Sequence, residues 1–430
     1  MKFNPIEEGI KRIGVGKNTT KSCSSELVDS ILQQLDSKQY DSVQLATFLG
    51  ALKVKGPSDS ELPVVDFFGE TYQDNFKLIR FLQGDLSAEV ESILNQLLEN
   101  KTFPYEEALI LGHILFSPTI SDSIKALAAV VLRMRYTSVE EYEAILKNIS
   151  KTFNSVFVEA SSLSGLPQVQ ISEPFDGNNR SYLVSPLYSY FLSKNNFLPI
   201  LNSGHSSGPK FGVTVLSMKE HLNLTELNSA KDLSLPPGPF GFVLEQEKLS
   251  SQLVHWQNIR KKMIKRPFLA TLEKYVRPFN TDCLVMSSFH DTFHDKSLEV
   301  AIKAGFQRGV NLIGGVEGGC GFSLFRKAKV KAYVKNGENI QYLEKQYTPA
   351  DFNINTVSDY LIKNLTAEEN ARLILEYAFK QKTDVEYFDI RAQFSLHVLE
   401  DVFKWLYPEK KIDFFKTVGE VPDALFSTIY

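Results

Sequence analysis

Apolar residues recur at three- and four-residue spacing through the first part of the chain. The stretches that show this pattern are Glu26–Leu35, Val43–Val54, Glu106–Phe116 and Ser123–Arg135. Such spacing places apolar side chains along one face of a helix. The pattern predicts a helical domain over residues 1–150.

Two of these helical stretches resemble each other. Residues 42–55 and 123–135 align once one gap is allowed, and both end in a basic-x-basic motif. The similarity favours a duplicated helical pair over residues 24–56 and 105–145. The alternative is a chance likeness between two amphipathic helices that end in basic residues.

Beyond residue 150, short apolar runs alternate with helical stretches. The runs predicted as buried strands are Val156–Val158, Phe197–Leu201, Cys283–Met286 and Val310–Ile313. The segments between them are long enough for crossover helices. This alternation predicts an α/β domain over residues 151–430 with a mixed, mostly parallel central sheet.

A hairpin and two further helices are predicted toward the end of the chain. Asn336-Gly337 separates the strand-like runs Phe322–Val334 and Ile340–Leu343. Asn-Gly between such runs is the strongest short-range hairpin signal. Helical spacing then returns at Ala367–Phe379 and Phe388–Leu406.

Composition narrows the class of protein. The 430 residues are 43% hydrophobic and 23% charged, which is ordinary for a globular chain. The longest apolar run, Ala126–Leu132, is far shorter than the roughly 20 residues of a membrane-spanning helix. The first residues lack a secretory signal, and three scattered cysteines cannot form a disulfide framework. We therefore expect a cytoplasmic protein with no membrane partner, whose net charge of −4 gives no global attraction for nucleic acid.

A turn of small polar residues at Glu173–Ser181 follows a short predicted strand and precedes a helical stretch. Its candidate binding residues are Asp176, Gly177, Asn178 and Asn179. Main-chain N–H groups in such a turn, near a helix start, suit an anion. This favours a phosphate- or ribose-binding loop. The alternative is an ordinary surface turn, since the glycine run of a phosphate cradle is missing.

A second polar turn, Ser203–Gly212, follows the predicted strand Phe197–Leu201. Its candidate binding residues are Gly204, His205, Ser206 and Lys210. Polar turns at the ends of consecutive parallel strands converge at one edge of a sheet. That convergence strengthens the interpretation of both turns as binding loops.

The strongest local charge imbalance lies between His255 and Pro278, where Glu273 is the only acid. The basic residues there are Arg260, Lys261, Lys262, Lys265, Arg266, Lys274 and Arg277. Such a run is typical of a solvated helix face, and it is also what a nucleic-acid backbone needs. The interleaved aromatic residues are predicted to be core anchors rather than base-stacking platforms: Trp256, Phe268 and Tyr275.

Two histidines four residues apart, His290 and His294, follow the predicted strand Cys283–Met286. On one helical face they would approach a metal ion, but the zincin glutamate and a third ligand are missing. The alternative is that Asp295 caps a helix over Lys296–Ala304, which leaves the histidines in a loop as hydrogen-bonding site residues.

In this order, the segments resemble the anthranilate phosphoribosyltransferase family, glycosyltransferase family 3, over most of the chain. The matching positions are the two helical pairs, Asp176-Gly177 with Ser181–Ser185, Gly204 with Lys210–Leu216, Arg266 ahead of Leu272–Lys274, Val334–Glu338, Glu369–Ala371 and Ala392. The resemblance implies the nucleoside phosphorylase and phosphoribosyltransferase fold and a homodimer. It also implies transfer of a phosphoribosyl group from phosphoribosyl pyrophosphate, with magnesium on the leaving pyrophosphate.

The resemblance further implies roles for individual residues. Asp176 would orient ribose hydroxyls, Lys210 with nearby amides would bind phosphate, and Arg266 would hold an anionic acceptor. Ser185 and Glu317 occupy further motif positions and are also candidate binding residues. No residue is assigned a catalytic or metal-binding role.

Departures from the family pattern concern the magnesium site above all. Cys320 and Gly321 stand where the family has an adjacent aspartate and glutamate. Loss of two hard oxygen ligands weakens magnesium binding. Pro174 and Phe175 replace glycines in the first loop, which removes one amide donor. Leu183 replaces an asparagine of the pattern.

A paralogous branch of the family has similarly eroded loops, and some of its members bind nucleic acid. This sequence resembles that branch more than the tryptophan-pathway enzyme. One hypothesis is therefore pentosyl transfer with a sugar-phosphate-like small molecule as an altered substrate. The alternatives are non-catalytic binding of nucleic acid or another polyanion in the same cleft, and a scaffold with some other partner surface.

Overall fold

The computed structural model describes residues 3–16, 19–158, 165–173, 176–288, 294–358 and 362–415 and divides the chain into two compact units. Unit 1 comprises Met1–Thr152 and Ser251–Glu273, and unit 2 comprises Phe153–Ser250 and Lys274–Tyr430. The predicted fold class is confirmed, because helices accompany an eight-stranded, mixed and mostly parallel sheet. Ser251–Glu273, predicted within the α/β domain, belongs to the helical unit.

The helices and strands are numbered in chain order. The helices are α1 Pro5–Ile13, α2 Ser25–Asp36, α3 Ser42–Lys55, α4 Leu62–Phe68, α5 Glu70–Gln73, α6 Asn75–Gln83, α7 Ala88–Leu98, α8 Tyr105–Phe116, α9 Asp122–Arg135, α10 Val139–Ser150, α11 Ser185–Lys194, α12 Lys219–Leu222, α13 Gln246–Leu249, α14 Ser251–Met263, α15 Leu269–Leu272, α16 His294–Lys303, α17 Ala367–Lys380 and α18 Glu386–Leu406. The strands are β1 Gln168–Ser172, β2 Leu198–Ser203, β3 Thr225–Glu226, β4 Phe242–Glu245, β5 Cys283–Ser288, β6 Arg308–Ile313, β7 Ala328–Asn336 and β8 Asn339–Tyr347. Among the residues described, no helix is both long and apolar enough to cross a membrane.

Within unit 1, two helical pairs keep the same spacing. Helices α8 and α9 follow α2 and α3 at an offset of 80 positions with no gap, since Ser25 and Ser42 correspond to Tyr105 and Asp122. Helix α3 packs on α9 at Gly50, where an added Cβ would lie 2.8 Å from Val130 Cγ1. Only glycine permits the two helices to approach this closely.

In each helical pair, a buried glutamate contacts a residue just before the first helix and a basic residue at the end of the second. Glu61 accepts the N–H of Cys23 at 2.9 Å and pairs with Lys55, whereas Glu141 accepts the N–H of Phe103 at 3.1 Å and pairs with Arg135. Both glutamates complete capping boxes, with Ser58 and Ser138. Each glutamate and its three partners correspond at an offset of 80 positions, so the two pairs share their polar contacts as well as their helices.

The sheet of unit 2 has the strand order β3-β4-β2-β1-β5-β6-β7-β8. Neighbouring strands from β3 to β6 are parallel, and β7 and β8 are antiparallel. Strands β2 and β5 begin with continuous apolar runs because they are buried in the sheet. One core joins β1, β2, β5, β6 and β7 to α11, α17 and α18. The carboxyl ends of the parallel strands lie at one edge, where ligands of α/β proteins bind.

The predicted strands and the hairpin meet different outcomes. Leu198–Leu201, Cys283–Met286 and Val310–Ile313 lie in β2, β5 and β6 as predicted. Strands β7 and β8 form the predicted hairpin, but β7 begins at Ala328 and not at Phe322. The strand at Val156–Val158 is wrong. Ser155–Phe157 forms a 3-10 turn capped by the Asn154 side chain, and Val156 and Val158 are exposed.

Candidate functional site

The two polar turns predicted from the sequence pair with each other at the carboxyl-end edge of the sheet. Asn178 donates its N–H to the Val213 carbonyl at 2.9 Å, and Val213 donates its own to Asn178 at 2.8 Å. The Gly212 N–H reaches the Asp176 carbonyl at 2.9 Å. The first turn is therefore fixed by the loop that follows β2, as the convergence of strand ends predicts.

Two glycines make this close pairing possible. Gly177 has φ +69°, and a Cβ there would lie 2.6 Å from the Gly212 and Val213 carbonyl oxygens. A Cβ on Gly212 would lie 2.6 Å from the Asn178 oxygen. Any side chain at either position would separate the loops, so both glycines are required by backbone approach.

Four hydrogen-bond donors converge on one carboxylate at this edge, and we call the four donors the cradle. They are the N–H groups of Asn179 and Arg180, the Ser181 hydroxyl and the Lys210 ammonium. The carboxylate is that of Glu317, whose Oε2 accepts from Asn179 N at 3.1 Å, Arg180 N at 2.7 Å and Ser181 Oγ at 3.1 Å. Lys210 Nζ lies 3.5 Å from Glu317 Oε1. An ionised acceptor held by several donors is a strong arrangement.

Lys210 also ties the cradle to both flanking loops. Its ammonium donates to the Gly177 and Glu317 carbonyl oxygens, each at 3.1 Å. In turn, the Asn179 side-chain Nδ2 donates a hydrogen bond to the Lys210 carbonyl oxygen at 3.1 Å. The structure thus brings together five candidate residues from three separate motifs: Gly177, Asn178, Asn179, Lys210 and Glu317.

A second carboxylate, that of Glu173, is buried near the start of α11. Its Oε1 accepts the Cys320 N–H at 2.8 Å, and its Oε2 accepts the Ser185 hydroxyl at 2.7 Å. The predicted site residue Ser185 therefore orients a buried acid at the start of α11. Glu173 was not among the predicted site residues. Its place directly after β1 was the signal that could have identified it.

Cys320 and Gly321, which the resemblance aligns with the family's two magnesium ligands, do not fit a magnesium ion. Burial and the neighbouring Glu173 carboxylate raise the pKa of the Cys320 thiol well above its usual range, so a neutral sulfur stands where the family has a hard oxygen. Gly321 has no side chain, and a Cβ there would lie 2.8 Å from Val184 Cγ2 and 2.9 Å from Arg391 Cζ. The space for the second carboxylate is filled.

Arg391 of α18 fills that space for a structural reason. It is 1% exposed and donates to the carbonyl oxygens of Tyr182, Gly321 and Phe322 at 2.6, 2.8 and 2.9 Å. Asn370 of α17 likewise holds the main chain of Leu183. Its Oδ1 accepts the Leu183 N–H at 2.8 Å, and its Nδ2 donates to the Leu183 carbonyl oxygen at 3.1 Å. Both residues hold the main chain directly after Ser181 of the cradle, and neither is among the predicted site residues.

The contacts of the second turn divide into two groups. Lys210 belongs to the cradle, but His205 donates its N–H to Glu247 at 2.8 Å and its ring lies 3.3 Å from Glu245. Burial and the nearby Glu226 raise the pKa of Glu245. Gly204 is buried and Ser206 half-buried. His205 is therefore bound to the acidic residues that end and follow β4.

The histidine pair is only partly covered by the structure. His290 and the side chain of His294 lie outside the described residues. Helix α16 begins at His294, so Asp295 lies within the first turn and not before it as predicted. The Asp295 carboxylate pairs with Lys331 at 2.7 Å. Among the side chains described, no group of three or more His, Cys, Asp and Glu residues is arranged to hold a metal ion.

Most of the basic run between residues 260 and 277 is engaged within its own unit. In unit 1, Arg260 pairs with Glu273 at 2.6 Å, Lys262 pairs with Asp41 at 2.8 Å, and Arg266 is half-buried. In unit 2, Lys274 donates to the Ser287 carbonyl at 2.5 Å and Arg277 to the Thr281 carbonyl at 3.0 Å. The interleaved aromatic residues are buried, which confirms them as core anchors: Trp256, Phe268 and Tyr275.

Comparisons with known proteins support the fold. No protein-family profile matches the chain. It is 23% identical over 239 residues, 56% of its length, to an uncharacterized protein of Aquifex aeolicus, and covers 70% of that relative. Anthranilate phosphoribosyltransferase (TrpD) of Thermus thermophilus superposes with a TM-score of 0.55 at 15% identity, over 79% of this chain and 94% of that one. The Saccharomyces cerevisiae enzyme in complex with PRPP and Mg gives 0.56 at 15% identity, over 75% and 89%. At these identities, the likeness establishes the fold.

Proposed function

We propose that this chain binds phosphorylated pentose-type ligands at the cradle and uses them in pentosyl transfer on an altered substrate, without a bound magnesium ion. The observation that carries the proposal is the cradle itself. Two main-chain N–H groups, a hydroxyl and an ammonium already converge on one anion. A phosphate group presents the acceptor oxygens that such donors recognise.

The loss of magnesium ligands separates this proposal from the chemistry of the solved neighbours. Cys320 is a buried thiol and Gly321 is enclosed by Val184 and Arg391, so neither position supplies an oxygen to a metal. Charge on a departing phosphate would be met instead by Asn179, Arg180 and Lys210. Preorganised donors of this kind stabilise developing negative charge without an ion.

The alternative of nucleic-acid binding draws less support from the contacts. Arg260 and Lys262 are engaged by carboxylates, and Arg277 donates to a main-chain carbonyl. Each phosphate contact requires a cation that is available to it. The net charge of −4 adds no compensating attraction.

Calorimetric titration tests the proposal. Wild-type protein is titrated with ribose 5-phosphate and with phosphoribosyl pyrophosphate, each in EDTA and in excess magnesium. We expect binding of both ligands that does not depend on magnesium. Lys210→Met should weaken this binding at least about tenfold, since it removes a charged donor, and Lys261→Met, an exposed cation of unit 1, should leave it unchanged. No heat at millimolar ligand, or heat only with magnesium, would overturn the proposal.

A further inference from the structure

Glu317 occupies the cradle as an internal anion. Its carboxylate accepts from both main-chain N–H groups and the Ser181 hydroxyl, and it faces the Lys210 ammonium. The contacts to Asn179, Arg180 and Ser181 join residues that are more than 130 positions apart in the chain. The donors that a bound phosphate would need are therefore already engaged by the protein's own side chain.

Glu317 lies on a turn with an unusual backbone conformation between two glycines. Glu317 itself has φ 58° and ψ 9°, a left-handed conformation that a side-chain-bearing residue adopts at a cost. Gly314 and Gly318 flank it at φ +95° and +83°, and glycine offers the chain many other conformations. If the turn moves as Glu317 leaves the cradle, the strained φ of Glu317 can relax, and the two glycines permit such a change of backbone conformation.

The position of the Glu317 carboxylate differs from that of a purely structural one. Its side chain is 14% exposed and Lys210 is 22% exposed, so water reaches the pair. Glu173 is buried, and Ser185 and the Cys320 N–H hold its carboxylate. Of these two carboxylates, that of Glu317 is therefore the one that an incoming anion can reach from solvent.

A phosphate monoester matches the cradle better than a carboxylate does. It carries between one and a half and two negative charges at neutral pH and three terminal oxygens, as a general property of the group. Glu317 offers one charge and two oxygens to four donors. Replacement of the Glu317 carboxylate by a phosphate monoester would increase both the negative charge and the number of acceptor oxygens in the cradle.

We infer that the cradle takes a phosphate monoester dianion in exchange for the Glu317 carboxylate, which acts as a built-in competitor. The inference rests on the proposed function, since it names how the same site admits its ligand. The apparent affinity for phosphate is then the intrinsic affinity reduced by the fraction of molecules in which Glu317 has left the cradle. Removal of the competing carboxylate should raise phosphate affinity, where removal of an ordinary site residue would lower it.

Titration of four proteins with inorganic phosphate and with ribose 5-phosphate, in EDTA, tests the exchange. They are the wild type, Glu317→Ala, Glu317→Gln and Glu344→Ala. We expect phosphate to bind Glu317→Ala at least about tenfold more tightly than wild type, with a smaller gain for Glu317→Gln, which keeps the size of the side chain. Glu344→Ala is the matched control, because it removes the same charge from the exposed face of β8, where Glu344 pairs with Lys331. Its affinity should equal that of the wild type.

The outcomes separate the two proposals. Heat with wild type that is unchanged in both Glu317 variants would overturn the exchange and leave the proposed function standing. No heat with any of the four proteins would overturn both. Heat with the Glu317 variants alone would show that phosphate does not displace Glu317 in the wild type, and would overturn both proposals. Amide hydrogen exchange provides a second readout, because phosphate should protect the Asn179 and Arg180 N–H groups in Glu317→Ala. Equal exchange with and without phosphate would place the binding elsewhere.

Discussion

Glu141 in unit 1 and Glu317 in unit 2 have the same kinds of partners but different surroundings. Glu141 accepts the Phe103 and Ser138 N–H groups and pairs with Arg135, and it is 0% exposed on a regular helix. Glu317 accepts two N–H groups and faces Lys210, but it is partly exposed on a left-handed, glycine-flanked turn. We therefore expect the same kinds of contact to stabilise the fold where water is excluded, and to be open to exchange where water reaches the carboxylate and glycines flank it.

The largest effect is expected from Glu141→Ala. The substitution leaves Arg135 buried without its carboxylate, and loss of one partner of a buried pair costs about 3–5 kcal/mol. Urea denaturation measures the free energy of unfolding. Glu140→Ala, an exposed acid in the same helical turn, is the control and should change that free energy by less than about 0.5 kcal/mol. A loss below about 1 kcal/mol for Glu141→Ala would remove one side of the comparison.

A smaller loss of stability is expected from Gly321→Ala, which tests whether Val184 and Arg391 can yield to an added methyl group. The new methyl group would lie 2.8 Å from Val184 Cγ2 and close to Arg391, and overpacking of this kind costs about 1–3 kcal/mol. The control is Gly165→Ala, since a Cβ there meets nothing within 4 Å. Equal thermal stability of the two variants would show that Val184 and Arg391 can move aside, so that a carboxylate side chain at position 321 would have space.

How far the sequence predicted these features depends on whether each one is local. The apolar run at Cys283–Met286 and the helical spacing at Ala367–Phe379 predicted β5 and α17 because periodicity is a local property. Strand β4 was missed, since it has four residues and lies directly after a glycine- and proline-rich turn. Its pairing with β2 is decided by the rest of the sheet.

The same distinction between local patterns and long-range contacts applies to the candidate site residues. Lys210 and Glu317 were identified as candidates from the motifs that contain them, but the bond from the Arg180 N–H to the Glu317 carboxylate spans 137 positions. No spacing rule predicts that contact. Arg391 lies within the predicted helix Phe388–Leu406, and only the fold places it against three carbonyl groups.

The charge on the buried Glu61 carboxylate should make the free energy of unfolding depend on pH. Burial pushes the pKa of Glu61 up, but hydrogen bonds from Lys55 and the Ser58 and Cys23 N–H groups outweigh it, so the pKa lies below the ordinary 4.5. A lowered pKa in the folded state adds stability above pH 4.5, and that stability is lost as the pH falls through the folded value. Wild type should therefore exceed Glu61→Gln in free energy of unfolding at pH 7, and the gap should narrow below pH 4.5. A gap independent of pH would exclude the charge as its cause.

The smallest effect on stability is expected from Glu317→Ala. Lys210 keeps its bonds to the main-chain carbonyl oxygens of Gly177 and residue 317 in the variant, and water can reach the N–H groups that the carboxylate leaves. Alanine at φ 58° remains strained, so relief of the backbone does not contribute unless the turn moves. Partly exposed ion pairs contribute about 0–1 kcal/mol, and the free energy of unfolding should change by no more than that. Glu344→Ala provides the control for the lost charge. A loss above about 3 kcal/mol would group Glu317 with Glu141 as a structural carboxylate, and the comparison that separates the two regions would then fail.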